Sequence, residues 1–169
     1  GRDDVGWAAA VAEEAGEVLA ASRRVARIEV PFRAGELALR EGPILEEVVR
    51  GLALRPDALL VAAAGRDHPR RAGLALHLGA VLDLPTVGVT EEPLVAAGGA
   101  PEDRWGSVAP LRLDGELVAY RLRTRRGAKP IVAHAGWRTS PEVAARIVLE
   151  GCALARWPEP LREARRLAR

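Results

Sequence analysis

A length of 169 residues suits one domain with a sizeable core. A 49% hydrophobic and 28% charged composition describes an ordinary soluble globular protein, and no apolar run nears the ~20 residues of a membrane span. The net charge of +2 argues against strong nonspecific nucleic-acid binding, and a single cysteine, Cys152, excludes an internal disulfide and fits a cytoplasmic setting. The basic residues are nearly all Arg, Lys129 being the only Lys. That suits planar phosphate contacts, and equally reflects coding bias or thermal adaptation.

In chain order, Asp3 and Asp4 precede a Val-Gly-Trp step. They form either a polar terminal turn or an early strand with an Asp facing a metal. Residues 7–12 and 18–28 are Val/Ala-rich and read as a hairpin, whose strands are expected to join a mixed sheet. Residues 31–35 form a Pro/Gly-bounded loop carrying Phe32, the only Phe. An aromatic there either stacks on a base or tucks into the core edge. Residues 39–43 lead into a predicted helix over 44–54, with Leu45, Val48, Val49 and Leu52 on one face. Glu41, just ahead of that helix, reads as a solvated residue favoured by the dipole or as a metal ligand.

The most informative stretch follows. Residues 58–61 are a short apolar run bounded by Arg55-Pro56-Asp57 and Gly65, and read as a buried strand. Residues 70–82 carry Leu74, Leu78, Val81 and Leu82 at helical spacing, and 86–89 form a second apolar strand after Leu84-Pro85. This is a βαβ pattern, so the two strands should be parallel, with chemistry beyond the first strand's carboxyl end, in the loop 62–68. Farther on, Asp114-Gly115 marks a tight hairpin between 107–113 and 116–124. Arg121, Arg123, Arg125 and Arg126 give it a basic strip, which is a solvated edge or a phosphate contact. A strand over 131–134, a loop with Gly136, Trp137 and Arg138, and a helix over 141–155 with Ser140 as N-cap and Pro141 at N1 come next. A short Arg-rich helix after Pro160 closes the chain, with no repeat, linker or second domain visible.

Several of these motifs together resemble endonuclease V, a metal-dependent nuclease family that cuts near deaminated bases such as inosine. They are Asp4-Val5-Gly6, Pro31-Phe32 with Gly35, Arg40-Glu41-Gly42-Pro43 and Arg55-Pro56-Asp57. The most specific are His68-Pro69-Arg70-Arg71-Ala72-Gly73 and Pro85-Thr86-Val87-Gly88-Val89, with weaker matches at Lys129-Pro130-Ile131, Gly136 with Arg138, and Pro158-Glu159-Pro160. The resemblance implies a single α/β domain over 1–169, with a ribonuclease-H-like mixed β-sheet flanked by helices. It implies Asp4, Glu41 and His68 as catalytic residues, with Asp4 and Glu41 on Mg²⁺ or Mn²⁺. Phe32, Gly65, His68, Arg70, Arg71 and Gly88 are implied to bind DNA or RNA containing deaminated bases, as a monomer. It further implies that the chain starts after the family's usual N-terminal helix and part of the first strand.

Three departures stand out. The family's second metal-binding Asp falls at Ala62, a usual Lys at Glu91, and a usual His at Trp137. The resemblance therefore implies a nuclease relative whose cleavage is lost or strongly impaired. An active enzyme, or a non-catalytic nucleic-acid or protein-binding module, are the alternatives. Asp67 could swing in as a substitute ligand near Ala62.

Overall fold

The structure, a computed structural model, describes residues 5–169. Asp3 and Asp4 lie outside the described residues.

Strands β1 (Val5–Glu14) and β2 (Glu17–Arg27) form a hairpin. Its turn is Ala15-Gly16, with φ of 50° and 83°, the left-handed pair that a two-residue hairpin turn demands. Ala8, Ala10 and Ala12 face inward at period two, while Trp7, Val18 and Val25 stay exposed. Helix α1 (Leu37–Arg50) packs on that Ala face through Ile44, Val48 and Val49. It begins seven residues before the predicted start at 44. Pro43 lies inside the helix rather than at its boundary; its cost is one missing bond to the carbonyl four residues back. Glu41 is accordingly a mid-helix residue, not one at the N-terminus.

Next come β3 (Leu59–Val61), α2 (Leu74–Leu82) and β4 (Thr86–Thr90). The strands pair in parallel, Leu59 with Thr86 and Val61 with Gly88, as the βαβ reading requires. Helix α2 starts at Leu74 rather than 70. Arg71 is left-handed, with φ of 56°, and Gly73 is extended, so the chain turns sharply before entering the helix. Gly73 is required there, because a Cβ would lie 2.3 Å from the Ala64 carbonyl oxygen.

Strands β5 (Val108–Leu113) and β6 (Glu116–Leu122) form the second hairpin, its Asp114-Gly115 turn at φ of 51° and 81°. Strand β7 (Ile131–Ala135) inserts antiparallel between β4 and β6, giving the order β3-β4-β7-β6-β5. Helix α3 (Pro141–Cys152) carries the expected cap, Ser140 accepting from the Val143 N–H. It covers the face made by Val87, Val89, Leu122, Ile131 and Ala133. Helix α4 (Glu159–Leu167) closes the chain. Helices α1 and α2 thus lie on one face and α3 and α4 on the other. No described helix is long and apolar enough to cross a membrane.

One expectation fails. The hairpin β1–β2 does not join the mixed sheet by hydrogen bonds; it is a separate two-stranded ladder held alongside β3 by α1 and α4. The basic strip also has a structural use. Arg121 reaches Glu92, and Arg123 reaches Asp103 and the carbonyl of Glu102, tying the 92–103 loop to β6.

Candidate nucleic-acid and metal site

The loop after β3 is positioned by close backbone packing. A Cβ on Gly65 would lie 2.1 Å from the Ala135 carbonyl oxygen, and one on Gly88 would lie 2.2 Å from that of Ala63. Both glycines therefore seat this loop against β4 and β7.

Within the loop, Asp67 is fully buried. Its carboxylate accepts the backbone N–H of Leu94 at 2.7 Å, of Val95 at 2.8 Å and of Ala96 at 2.7 Å. It is a fixed clamp on the following loop, with no freedom to serve as a substitute metal ligand. His134, from the middle of β7, is equally buried, its Nδ1 3.6 Å from Asp67. Its Nε2 lies 2.7 Å from the Thr90 hydroxyl, which donates to the Glu92 carbonyl and so is free to accept. Burial holds the His134 pKa down to about 4, against the opposing pull of Asp67. The ring is neutral at neutral pH, and Nδ1 has no hydrogen-bond partner. Sequence reasoning missed this Asp67–His134–Thr90 cluster; a His in the middle of the apolar strand 131–135 was its only signal.

The predicted recognition residues divide into two groups. His68 is buried, its Nδ1 accepts the Arg70 N–H at 3.1 Å, and its Nε2 is 3.9 Å from where a Cβ on Gly35 would stand. Arg70 pairs with Glu36 at 3.6 Å. The Phe32 loop therefore lies over His68 and Arg70, with Phe32 itself 68% exposed rather than tucked into the core edge. Arg71 turns away instead. Its guanidinium binds Asp114 at 2.9 Å, Glu116 at 2.7 Å and the Leu113 carbonyl, pinning the β5–β6 turn. These residues do not form the first turn of α2, which begins at Leu74. They precede α2, and the Ala75 N–H in its first turn is already taken by the Ala64 carbonyl.

The implied metal residues come together only in part. Glu41 and Ala62 line one cavity of about 580 Å³. Burial raises the Glu41 pKa, Arg40 partly opposing it. Glu91 and Trp137 are not part of that lining. Glu91 pairs with Arg156 at 3.2 Å, and Arg156 is itself anchored on the Lys129 carbonyl. Trp137 packs on α2 in the space that a side chain at Gly79 would need, and its backbone N–H donates to the Thr86 hydroxyl, while its buried indole nitrogen has no hydrogen-bond partner. An Mg²⁺ centre needs several oxygen ligands in near-octahedral array. The cavity that Ala62 lines carries the Glu41 carboxylate and also Glu13, Glu14 and Asp57, yet among the described residues no three His, Cys, Asp or Glu side chains group to hold a metal ion. Of the two implied ligands the described residues include Glu41, Asp4 lying outside them.

Because burial lifts its folded-state pKa, the ionised Glu41 carboxylate costs the fold stability as pH rises through and above the ordinary Glu range. Glu41→Gln should therefore raise the melting temperature at pH 7 by a few degrees. The gain should shrink as pH falls to the ordinary Glu value of 4.5 and below. A lower melting temperature for the variant at pH 7 would show that the charge is compensated.

Comparison with known proteins supplies the remaining context. The family model described as Endonuclease V matches residues 2–166. An endonuclease V of Methanopyrus kandleri is 45% identical over 141 residues, covering 83% of this chain and 61% of its own length. One of Dictyoglomus thermophilum is 35% identical, covering 86% of this chain and 64% of its own. The chain thus spans about three-fifths of the length of these curated relatives. The crystal structure of the Streptomyces avermitilis endonuclease V superposes with a TM-score of 0.86 at 30% identity, over 98% of this chain and 80% of that one. This matches the mixed sheet with flanking helices found here. With the family model spanning nearly every residue and the fold shared with a solved member, the chain belongs to the endonuclease V family.

Proposed function

We propose that this protein binds nucleic acid containing deaminated bases, inosine above all, and that its metal-dependent phosphodiester cleavage is lost or strongly impaired. The substrate half rests on family membership. The catalytic half rests on one observation: Ala62 presents a methyl group to the cavity that Glu41 lines, and Asp67, the only acid in the 62–73 loop, is committed to three backbone N–H groups. Phosphodiester hydrolysis of this kind needs carboxylates to hold Mg²⁺ or Mn²⁺ against the scissile phosphate. Losing one stabilising group typically costs about 2.7–4 kcal/mol in the transition state.

Recognition is the part this chain retains. Phe32 offers an exposed ring from the loop whose Gly35 and Glu36 lie against His68 and Arg70, and base–aromatic stacking is worth about 1–3 kcal/mol. Phe32→Ala should weaken binding to an inosine-containing single strand by roughly 5- to 150-fold, with the melting temperature unchanged because the ring contributes little to the core. Affinity should also fall with rising salt. Titration of a fluorescent inosine strand checks this, and equal affinity for the variant would remove Phe32 from the recognition surface.

A further inference from the structure

The basic strip at the end of β6 is only half used by the fold. Arg121 and Arg123 are committed to Glu92 and Asp103. The side chains of Arg125, Arg126 and Lys129 are exposed and have no ion pair among the described residues. The other acids at this end are engaged elsewhere, Glu91 with Arg156 and Glu102 with Arg104 at 3.5 Å. An exposed aromatic is fixed beside these cations. The Ser107 N–H donates to the Arg104 carbonyl, closing a tight turn with Gly106 at φ of 80°. Trp105 stands at the apex of that turn and is 59% exposed. The Gly106 N–H donates to the Arg123 carbonyl and the Arg123 N–H to the Ser107 carbonyl, both at 2.9 Å. Asp103 accepts the Gly127 N–H at 2.8 Å. Turn and cations therefore form one platform.

The platform stands at the same end of the sheet as the loop after β3. Strand β4 runs parallel to β3 and ends at Thr90, which pairs with Val132 near the start of β7. Leu122, at the end of β6, pairs with Ile131. From β3 to β6 is three strand spacings, roughly 14 Å, or about four nucleotides at the stacked spacing of ~3.4 Å. A strand engaged at the His68 loop reaches the platform without leaving that end of the sheet.

We propose that Trp105, Arg125, Arg126 and Lys129 form a second contact for a bound single strand, one base stacking on the indole while flanking phosphates meet the cations. Cations alone suit any polyanion; an aromatic at the apex of a turn among them suits unpaired bases. The contact reads no sequence, since every base has a stacking face, and it fixes where the strand runs. It rests on the reading that this chain binds inosine-containing nucleic acid, and extends that reading along the strand.

Titration of the whole chain with two fluorescent strands tests this, each with a central inosine. One has about four nucleotides, too short to reach the platform, and the other about sixteen. Trp105→Ala should weaken the long strand roughly 5- to 150-fold and leave the short one unchanged. Trp105→Phe, which keeps a stacking face, should bind the long strand nearly as well as the unmodified chain. Arg125→Gln with Arg126→Gln should flatten the log–log salt slope by about 1.4, two phosphate contacts at about 0.7 each. Undiminished long-strand affinity in Trp105→Ala, an equal loss on both strands, or an unchanged salt slope would overturn the proposal. Binding that depends on Trp105 but does not distinguish inosine from guanine would support this contact and overturn the inosine reading. No binding of either strand would overturn both.

Discussion

Replacing Asp67 by Ala is expected to lower the stability of the fold by about 3–4 kcal/mol, the largest effect of any single polar substitution considered. Hydrogen bonds to a charged acceptor are worth about 1.5–3 kcal/mol each and do not simply add. Three backbone donors converge on this carboxylate, and the Ala96 N–H among them is buried. In a protein of this size the loss corresponds to a fall in melting temperature of about 10 °C. Asp67→Asn should fall between the two, since one oxygen still serves Val95 and Ala96 while the amide nitrogen meets the Leu94 N–H. Thermal melts of the metal-free protein check this. A near-normal melt for Asp67→Ala would mean that the carboxylate is free, and would reopen its use as a ligand beside Ala62.

The parts of this fold that follow local rules were legible in the sequence. Asp114-Gly115 turned where a hairpin needs left-handed backbone, Ser140-Pro141 capped α3, and the apolar runs before and after α2 paired in parallel. Helix boundaries failed where tertiary packing overrode a local signal. Pro43 reads as a stop, yet the burial of Ile44, Val48 and Val49 against the hairpin carries α1 through it. Arg70-Arg71-Ala72 reads as helix, but the close approach of Gly73 to Ala64 forces a turn. The site was legible to the extent that motifs matched the family: the Phe32 loop, His68 and Arg70 are together. The role of Asp67 was not legible, because its partners lie 27 to 29 residues away and leave no local pattern. The same distance effect hid the pairing of Glu91 with Arg156 and of Arg71 with the β5–β6 turn.

That pairing changes what restoring the family residues should do. Glu91→Lys would set a cation beside Arg156 in place of its partner. Ala62→Asp is the cleaner change, since it adds a carboxylate to the cavity that Glu41 already lines.

Cutting of an inosine-containing strand by the unmodified chain, with Mg²⁺ or Mn²⁺, tests the central claim most directly. Even one absent transition-state contact of about 2.7–4 kcal/mol leaves a rate roughly 10²- to 10³-fold below that of an intact site. Denaturing electrophoresis of a labelled strand should therefore show binding-competent protein and little or no product near the lesion over hours. The Glu41→Ala variant should look the same as the unmodified chain. Efficient metal-dependent cutting near the inosine, abolished by Glu41→Ala, would contradict the account and make this chain a working endonuclease.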